Sequence, residues 1–162
     1  MIPLPPIDLP MPELAIALEA VEKSGTEVMK IYDTNFSSNT KKDDSPITDA
    51  DLKSNEIIKK ILAKTTHHLL SEEDKDSKSR LEKKTVWIVD PLDGTSDFVD
   101  KTGEFTIMIG LVIDGHPVLG VINWPDGNTI YAAQIGKGAF RYYNGKWEKI
   151  KVSQTSDLKK CS

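Results

Sequence analysis

Cysteine is almost missing from this chain. Cys161 is the single one among 162 residues, so no internal disulfide can form. A reducing cytoplasm is therefore the expected setting. Long apolar runs are missing too: none approaches the ~20 residues that a membrane-crossing helix needs, and no signal-peptide pattern opens the chain. Basic charge is not in excess. Lys and Arg number 21 against 25 Asp and Glu, a net charge of −4, and no basic patch stands out, which argues against a nucleic-acid polymer as partner. Histidine is scarce. His67 and His68 are adjacent on a predicted strand and point to opposite faces, a poor pair for one metal ion. His116 falls in a Gly-His-Pro turn and no nucleophile elbow is present, so Ser-His-Asp hydrolysis finds little support. Gly136-Lys137-Gly138 lacks the Walker spacing and its following Ser or Thr, and reads as a hairpin turn.

What is present suits a soluble domain with a real core, at 28% charged and 38% apolar residues. Residues 1–12 carry five prolines and predict an extended arm, mobile or lying on the surface. From Glu13 to about Tyr32, Leu14, Leu18, Val21, Gly25, Val28 and Tyr32 follow one helical stripe. Gly25 on that stripe lets a neighbouring element approach closely. Residues 33–47 read as a polar loop. A second helix is expected from Thr48 to roughly Thr65, with Ile57, Ile58, Ile61 and Leu62 inward. Thr48 as N-cap and Asp51 as third helical residue make an acidic capping box. His67 to Leu70 predict a short strand ending in Ser71-Glu72-Glu73-Asp74, and Asp74 to Lys84 a charged surface connection.

Downstream, Thr106–Ile113 and Val118–Ile122 flank Asp114-Gly115 as an antiparallel hairpin. Phe105, Ile107, Ile109, Leu111 and Ile113 line one face. Met108 and Val112 make the other apolar as well, which predicts cover on both sides. Turn signals at Asp126-Gly127 and Asn144-Gly145 divide further strands near Ile130–Ile135, Ala139–Tyr143 and Trp147–Val152, giving an antiparallel meander. The expected class is α+β, two helices packed on a mostly antiparallel sheet.

The most informative stretch is Trp87-Ile88-Val89-Asp90-Pro91-Leu92-Asp93-Gly94-Thr95-Ser96-Asp97-Phe98. It opens as a buried β-branched strand and ends with two carboxylates, Asp90 and Asp93, three residues apart. Gly94 permits a tight turn, and Thr95 or Ser96 can cap a short helix. Carboxylates attract a divalent cation and a helix start attracts an anion, so a metal-bridged phosphate would satisfy both. An ordinary solvated Asp-Gly turn also explains these residues. Acidic residues recur at 43–51, 72–76 and 90–100, a crowding that repels itself unless cations bind.

Asp90-Pro91-Leu92-Asp93-Gly94-Thr95 with Phe98 resembles the DPxDGTxxF signature of the inositol monophosphatase superfamily, magnesium-dependent and lithium-sensitive phosphomonoesterases. Lys41-x-Asp43-x-Ser45-Pro46-Ile47-Thr48-x-Ala50-Asp51, Gly103-Glu104-Phe105-Thr106 and Pro117-Val118-Leu119-Gly120-Val121 are similar to its 3′(2′),5′-bisphosphate nucleotidase branch. The resemblance runs from about Leu14 to Val152. It implies the N-terminal half of a layered α/β sandwich of the sugar-phosphatase-like fold. Hydrolysis of the 3′-phosphate of adenosine 3′,5′-bisphosphate is the implied activity. Two or three Mg²⁺ ions are implied, held by Glu72, Asp90, Asp93 and the Leu92 carbonyl, with Li⁺ as inhibitor. Asp51 and Thr95 are implied to orient a water, and Asp93, Gly94 and Thr95 to bind the phosphate.

The family's W-D-x-A-A segment, whose aspartate completes the metal site, finds no match before Ser162. The expectation is a 13–162 unit corresponding to the family's N-terminal domain, as a fragment, a truncated product or half of an assembly. A homo-oligomer is one form that assembly takes. Its apolar second sheet face would be what the missing domain covers. Inositol monophosphatase or fructose-1,6-bisphosphatase-like activity stays open, as does a form that binds metal or phosphate without turnover.

Overall fold

The computed structural model describes residues 1–34, 36, 38–40, 46–76 and 78–156. Cys161 and the Lys41, Asp43 and Ser45 positions of the nucleotidase-like segment lie outside them. Helix α1 (Pro12–Tyr32) starts with proline at a first-turn position, where a missing N–H costs nothing. Strands β1 (Ser38–Thr40) and β2 (Pro46–Thr48) pair antiparallel, so the expected 33–47 loop holds a small hairpin. Three-residue strands are too short to leave a periodic signal to read.

Helix α2 (Asp49–Leu62) begins at the Thr48 cap as expected but stops short of Thr65. The Lys64 and Thr65 amides turn back to Ile61 and Leu62, tightening the last turn until the helix closes. Its buried stripe also differs. Ala50, Asp51, Ser54, Asn55, Ile58, Ile61 and Leu62 face inward, while Ile57 is only half-buried. The polar half of that stripe faces the candidate site.

Strands β3 (His68–Ser71), β4 (Thr85–Asp93), β5 (Thr106–Ile113), β6 (His116–Trp124), β7 (Thr129–Gln134), β8 (Gly138–Tyr143) and β9 (Lys146–Ile150) form one sheet in chain order. β3 runs parallel to β4, and every later pair is antiparallel. A 3₁₀ turn (Ser79–Glu82) sits in the charged β3–β4 connection, and helix α3 (Thr95–Val99) follows β4. His116 opens β6 rather than sitting in the turn, which is made by Asp114 and Gly115. Among the described residues no helix is long and apolar enough to cross a membrane.

α1 and α2 lie on one face of the sheet. Between them sit Trp87, Val89, Ile107, Ile109, Leu111 and Val121, all buried. Among the described residues the other face is not covered as the two apolar faces of β5 suggested. Ile88 is 45% exposed, and with Met108, Val112 and Pro117 it lines an open groove of about 650 Å³. The proline-rich arm is docked: Pro5 is buried, and Ile2, Ile7 and Met11 pack against the core.

Gly25 is where α1 meets β6. A Cβ there would stand 2.3 Å from Asn123 Nδ2, and that amide donates to the Val21 carbonyl at 2.7 Å. Gly25→Ala gains about 1 kcal/mol of helix propensity but displaces a buried amide, at about 1–3 kcal/mol. Urea unfolding should show net destabilisation of about 1 kcal/mol. In an Asn123→Ala background the same change should be neutral or stabilising. A Gly25→Ala protein more stable than its parent would refute this account of the contact.

Candidate active site

The site forms where β4 ends, and its geometry begins with a break in register. Asp90 pairs with Met108 and Asp93 with Thr106, so three steps on β4 oppose two on β5. In a regular strand, residues three apart face opposite sides. The bulge at Pro91–Leu92 cancels that alternation and brings Asp93 round to act on Asp90. Pro91 suits the bulge because it has no N–H to leave unpaired, and Ser54 on α2 donates its hydroxyl to the Pro91 carbonyl at 2.7 Å.

Gly94 follows with φ +82°, and a Cβ there would lie 2.8 Å from the Glu104 carbonyl. Only glycine fits both the turn and that approach. Gly94 itself is the N-cap of α3, with no side-chain cap, so the expected capping by Thr95 or Ser96 does not occur. The Thr95 hydroxyl is turned elsewhere, within 2.9 Å of Asp51 Oδ1 and 3.1 Å of the Leu92 carbonyl.

Asp51 is fully buried. Its Oδ2 accepts from the Thr48 N–H at 2.8 Å and the Thr48 hydroxyl at 2.7 Å, while the Ala50 N–H donates to Thr48 Oγ1 at 3.1 Å. The capping box and the Asp51–Thr95 pairing therefore coexist. With its proton directed at Asp51 or Leu92, the Thr95 oxygen keeps lone pairs free to accept from a water.

Parallel pairing sets Ser71 opposite Val89, and the Glu72 N–H donates to the Val89 carbonyl at 3.1 Å. Glu72 thus arrives beside Asp90, and their carboxyl groups are in hydrogen-bond contact. Burial, first, and then the Glu72 charge and hydrogen bond push the Asp90 carboxyl up to about 7, with the Asp93 charge adding to the rise. The Leu92 N–H, donating to Asp90 Oδ1 at 3.2 Å, pulls the other way.

Among the described residues, no three His, Cys, Asp or Glu side chains gather into a ready ion cage. Glu72 and Asp90 form a close pair, and Asp93 acts on Asp90 through its charge. Two carboxylates fit Mg²⁺, which keeps several waters and takes its remaining ligands from substrate phosphate. The Leu92 carbonyl has a lone pair beyond the one facing Thr95.

The sequence reading missed the polar supports. Ser71 Oγ donates to Asn55 Oδ1 at 2.8 Å, Asn55 Nδ2 to Asp74 Oδ1 at 3.3 Å, and Lys59 Nζ lies 2.6 Å from Asp74 Oδ2. Ser54 and Asn55 follow Asp51 at helical spacings of three and four, the signal that could have found them. The two histidines stay apart from the site: His67 Nε2 contacts Glu13 Oε1 at 3.0 Å and His68 Nε2 contacts Ser79 Oγ at 3.4 Å.

The sequence model of the inositol monophosphatase family matches residues 10–162. A 3′(2′),5′-bisphosphate nucleotidase CysQ of Aggregatibacter actinomycetemcomitans is 35% identical over 137 residues, covering 82% of this chain and 51% of that protein. The crystal structure of CysQ from Bacteroides thetaiotaomicron superposes with TM-score 0.76 at 36% identity, over 90% of this chain and 59% of that one. An IMPase from Thermotoga maritima reaches TM-score 0.80 at 28% identity, over 93% and 57%. The chain spans about half the length of the curated relatives it matches.

The raised Asp90 value fixes the sign of one pH effect. A carboxyl lifted from 3.8 to about 7 on folding contributes stability that is full below the unfolded value. That share is lost as pH rises through the folded value. In chelator-containing buffer the urea midpoint of the parent should fall between about pH 4 and 7 relative to Asp90→Asn. Parallel profiles for the two proteins would refute the crowding.

Proposed function

The chain belongs to the inositol monophosphatase family, and on that premise we propose that it carries the metal-binding half of a phosphomonoesterase site. The observation that bears most weight is the buried Asp51–Thr95 pair set beside the crowded Glu72 and Asp90 carboxyls. On this reading Glu72, Asp90, Asp93 and the Leu92 carbonyl would hold Mg²⁺, two or three ions in all, with Li⁺ as a competing inhibitor. Bound there, magnesium would supply charge to the phosphate oxygens and acidify a water.

The protein's own part is positioning. Thr95 accepts from the attacking water and Asp51 holds the threonine hydroxyl in that orientation, as the 2.9 Å contact allows. At the start of α3 the Gly94 and Thr95 N–H groups would bind phosphate oxygens. The carboxyl pair excludes an unscreened anion, which ties phosphate entry to the cation.

The proposed substrate is adenosine 3′,5′-bisphosphate, cleaved at its 3′-phosphate, and the nucleotidase names of the relatives support that choice. Residues 13–162 would form the family's N-terminal domain. The open groove beside Glu72 and Asp90 would be the face against which a second α/β domain builds the substrate contacts. A second reading is binding of metal or phosphate without turnover, favoured by the crowded Glu72 and Asp90 carboxyls, which attract a cation whether or not hydrolysis follows.

Phosphate release from adenosine 3′,5′-bisphosphate, inositol monophosphate and fructose 1,6-bisphosphate, each with and without Mg²⁺, tests the proposal. Asp93→Asn and Asp51→Asn should each lower turnover roughly 100-fold or more. Asp93→Asn should leave the unfolding midpoint nearly unchanged, because that side chain is exposed. Undiminished Mg²⁺-dependent release by Asp93→Asn would refute the assignment. Calorimetric Mg²⁺ binding with no release from any of the three substrates would establish the second reading.

A further inference from the structure

The proline-rich arm takes no part in the chemistry above, yet the fold holds it at Ile2, Pro3, Pro5 and Met11 while Leu4, Pro6 and Leu9 stay exposed. A proline-rich segment has carbonyls but few N–H groups. It cannot join a sheet edge as another strand and needs donors from outside. Trp147 on β9 supplies one, its indole N–H donating to the Pro3 carbonyl at 2.7 Å. The Trp147 ring packs against Tyr142 on β8, with centroids 5.1 Å apart and planes at 53°. An aromatic-lined groove is how proline-rich peptides are held in recognition domains.

Contacts on either side hold the arm in place. The Ile2 N–H donates to Glu22 Oε2 at 3.3 Å, Pro5 is buried, and the Met11 N–H donates to the buried Gln134 side chain at 2.9 Å. Between them Leu9 turns with φ +51° and is 79% exposed. A leucine takes that left-handed conformation only at a cost, here sustained by the docked segments flanking it. β9 is the last strand of the sheet, and such an edge needs cover.

We propose that Trp147 and Tyr142 form a proline-recognition site at the β9 end of the meander. Its resident ligand is the chain's own Ile2–Pro6 segment, and it accepts a proline-rich segment of the same pattern in trans. The tethered arm has an effective concentration on the order of mM, so a free peptide competes only when the arm is weakened.

The test uses the full chain carrying Pro3→Ala, Pro5→Ala and Pro6→Ala, and follows the Trp147 indole N–H resonance, assigned by its loss in Trp147→Phe. The other two indoles report elsewhere, on Thr65 and on Gly103. The resonance should shift on substitution and return on saturation with the peptide Ile-Pro-Leu-Pro-Pro-Ile. The same peptide with alanine for proline should not restore it. An unmoved resonance, or equal recovery with the alanine peptide, overturns the proposal. Trp147→Phe alone keeps a ring and removes the donor. It should speed amide exchange in the arm roughly fivefold, as expected for one ordinary hydrogen bond, and an unchanged exchange rate likewise overturns it.

Discussion

The arrangement depends on one buried carboxylate. Asp51 is withdrawn from water entirely, and its described partners are neutral: the Thr48 amide, the Thr48 hydroxyl and the Thr95 hydroxyl. Burying such a charge costs several kcal/mol unless hydrogen bonds offset it. Three donors converging on two oxygens provide that offset, and in doing so they fix three pieces of chain. Thr48 is held where β2 hands over to α2, α2 is held at its first turn, and α3 is held at its first residue. A five-residue helix has no stability of its own. Its placement comes from Thr95 on one side and from Phe98 on the other, which packs between Tyr32, Phe36 and Phe105 at 4.8–5.0 Å.

Much of this was legible in the residues. The capping box needed only Thr48 and Asp51 at the right spacing, and the meander needed only its turn signals and alternating apolar positions. The register of β4 was less accessible. Asp90 and Asp93 at a spacing of three contradict a common face on an ordinary strand, and only Pro91 hinted at the bulge that reconciles them. The polar stripe of α2 was hidden for a different reason. Ser54 and Asn55 are buried because they bond to Pro91 and Ser71, elements far away in sequence, and hydrophobic periodicity has no symbol for such a face. The uncovered side of the sheet shows a third limit. Met108 and Val112 say that a face is apolar, and nothing local says what lies against it.

The supports around Glu72 explain how a repulsive cluster stays in place. Asp74 is tied to Lys59 and Asn55, and Asn55 is tied to Ser71. The end of β3 is thereby clamped to α2 through neutral and screened groups. The closeness of Glu72 raises the Asp90 carboxyl rather than driving the two groups apart. On the proposed reading such a site trades stability for affinity: the repulsion that weakens the fold would be relieved by a cation entering it.

That trade requires β3 to be parallel to β4. Were β3 antiparallel, its chain would leave the sheet at the opposite end of β4, with Glu72 a full strand length from Asp90. Parallel pairing aligns the carboxyl ends of both strands, so acids placed just after each strand meet at one edge. Antiparallel pairing of β4 with β5 then returns the chain from α3 directly into the core, carrying Phe105 beneath the site. The single change of direction in an otherwise antiparallel sheet is therefore what the proposed chemistry asks of the topology. The long charged connection from Asp74 to Lys84, which has no apolar pattern of its own, exists to bring the chain back for that parallel start.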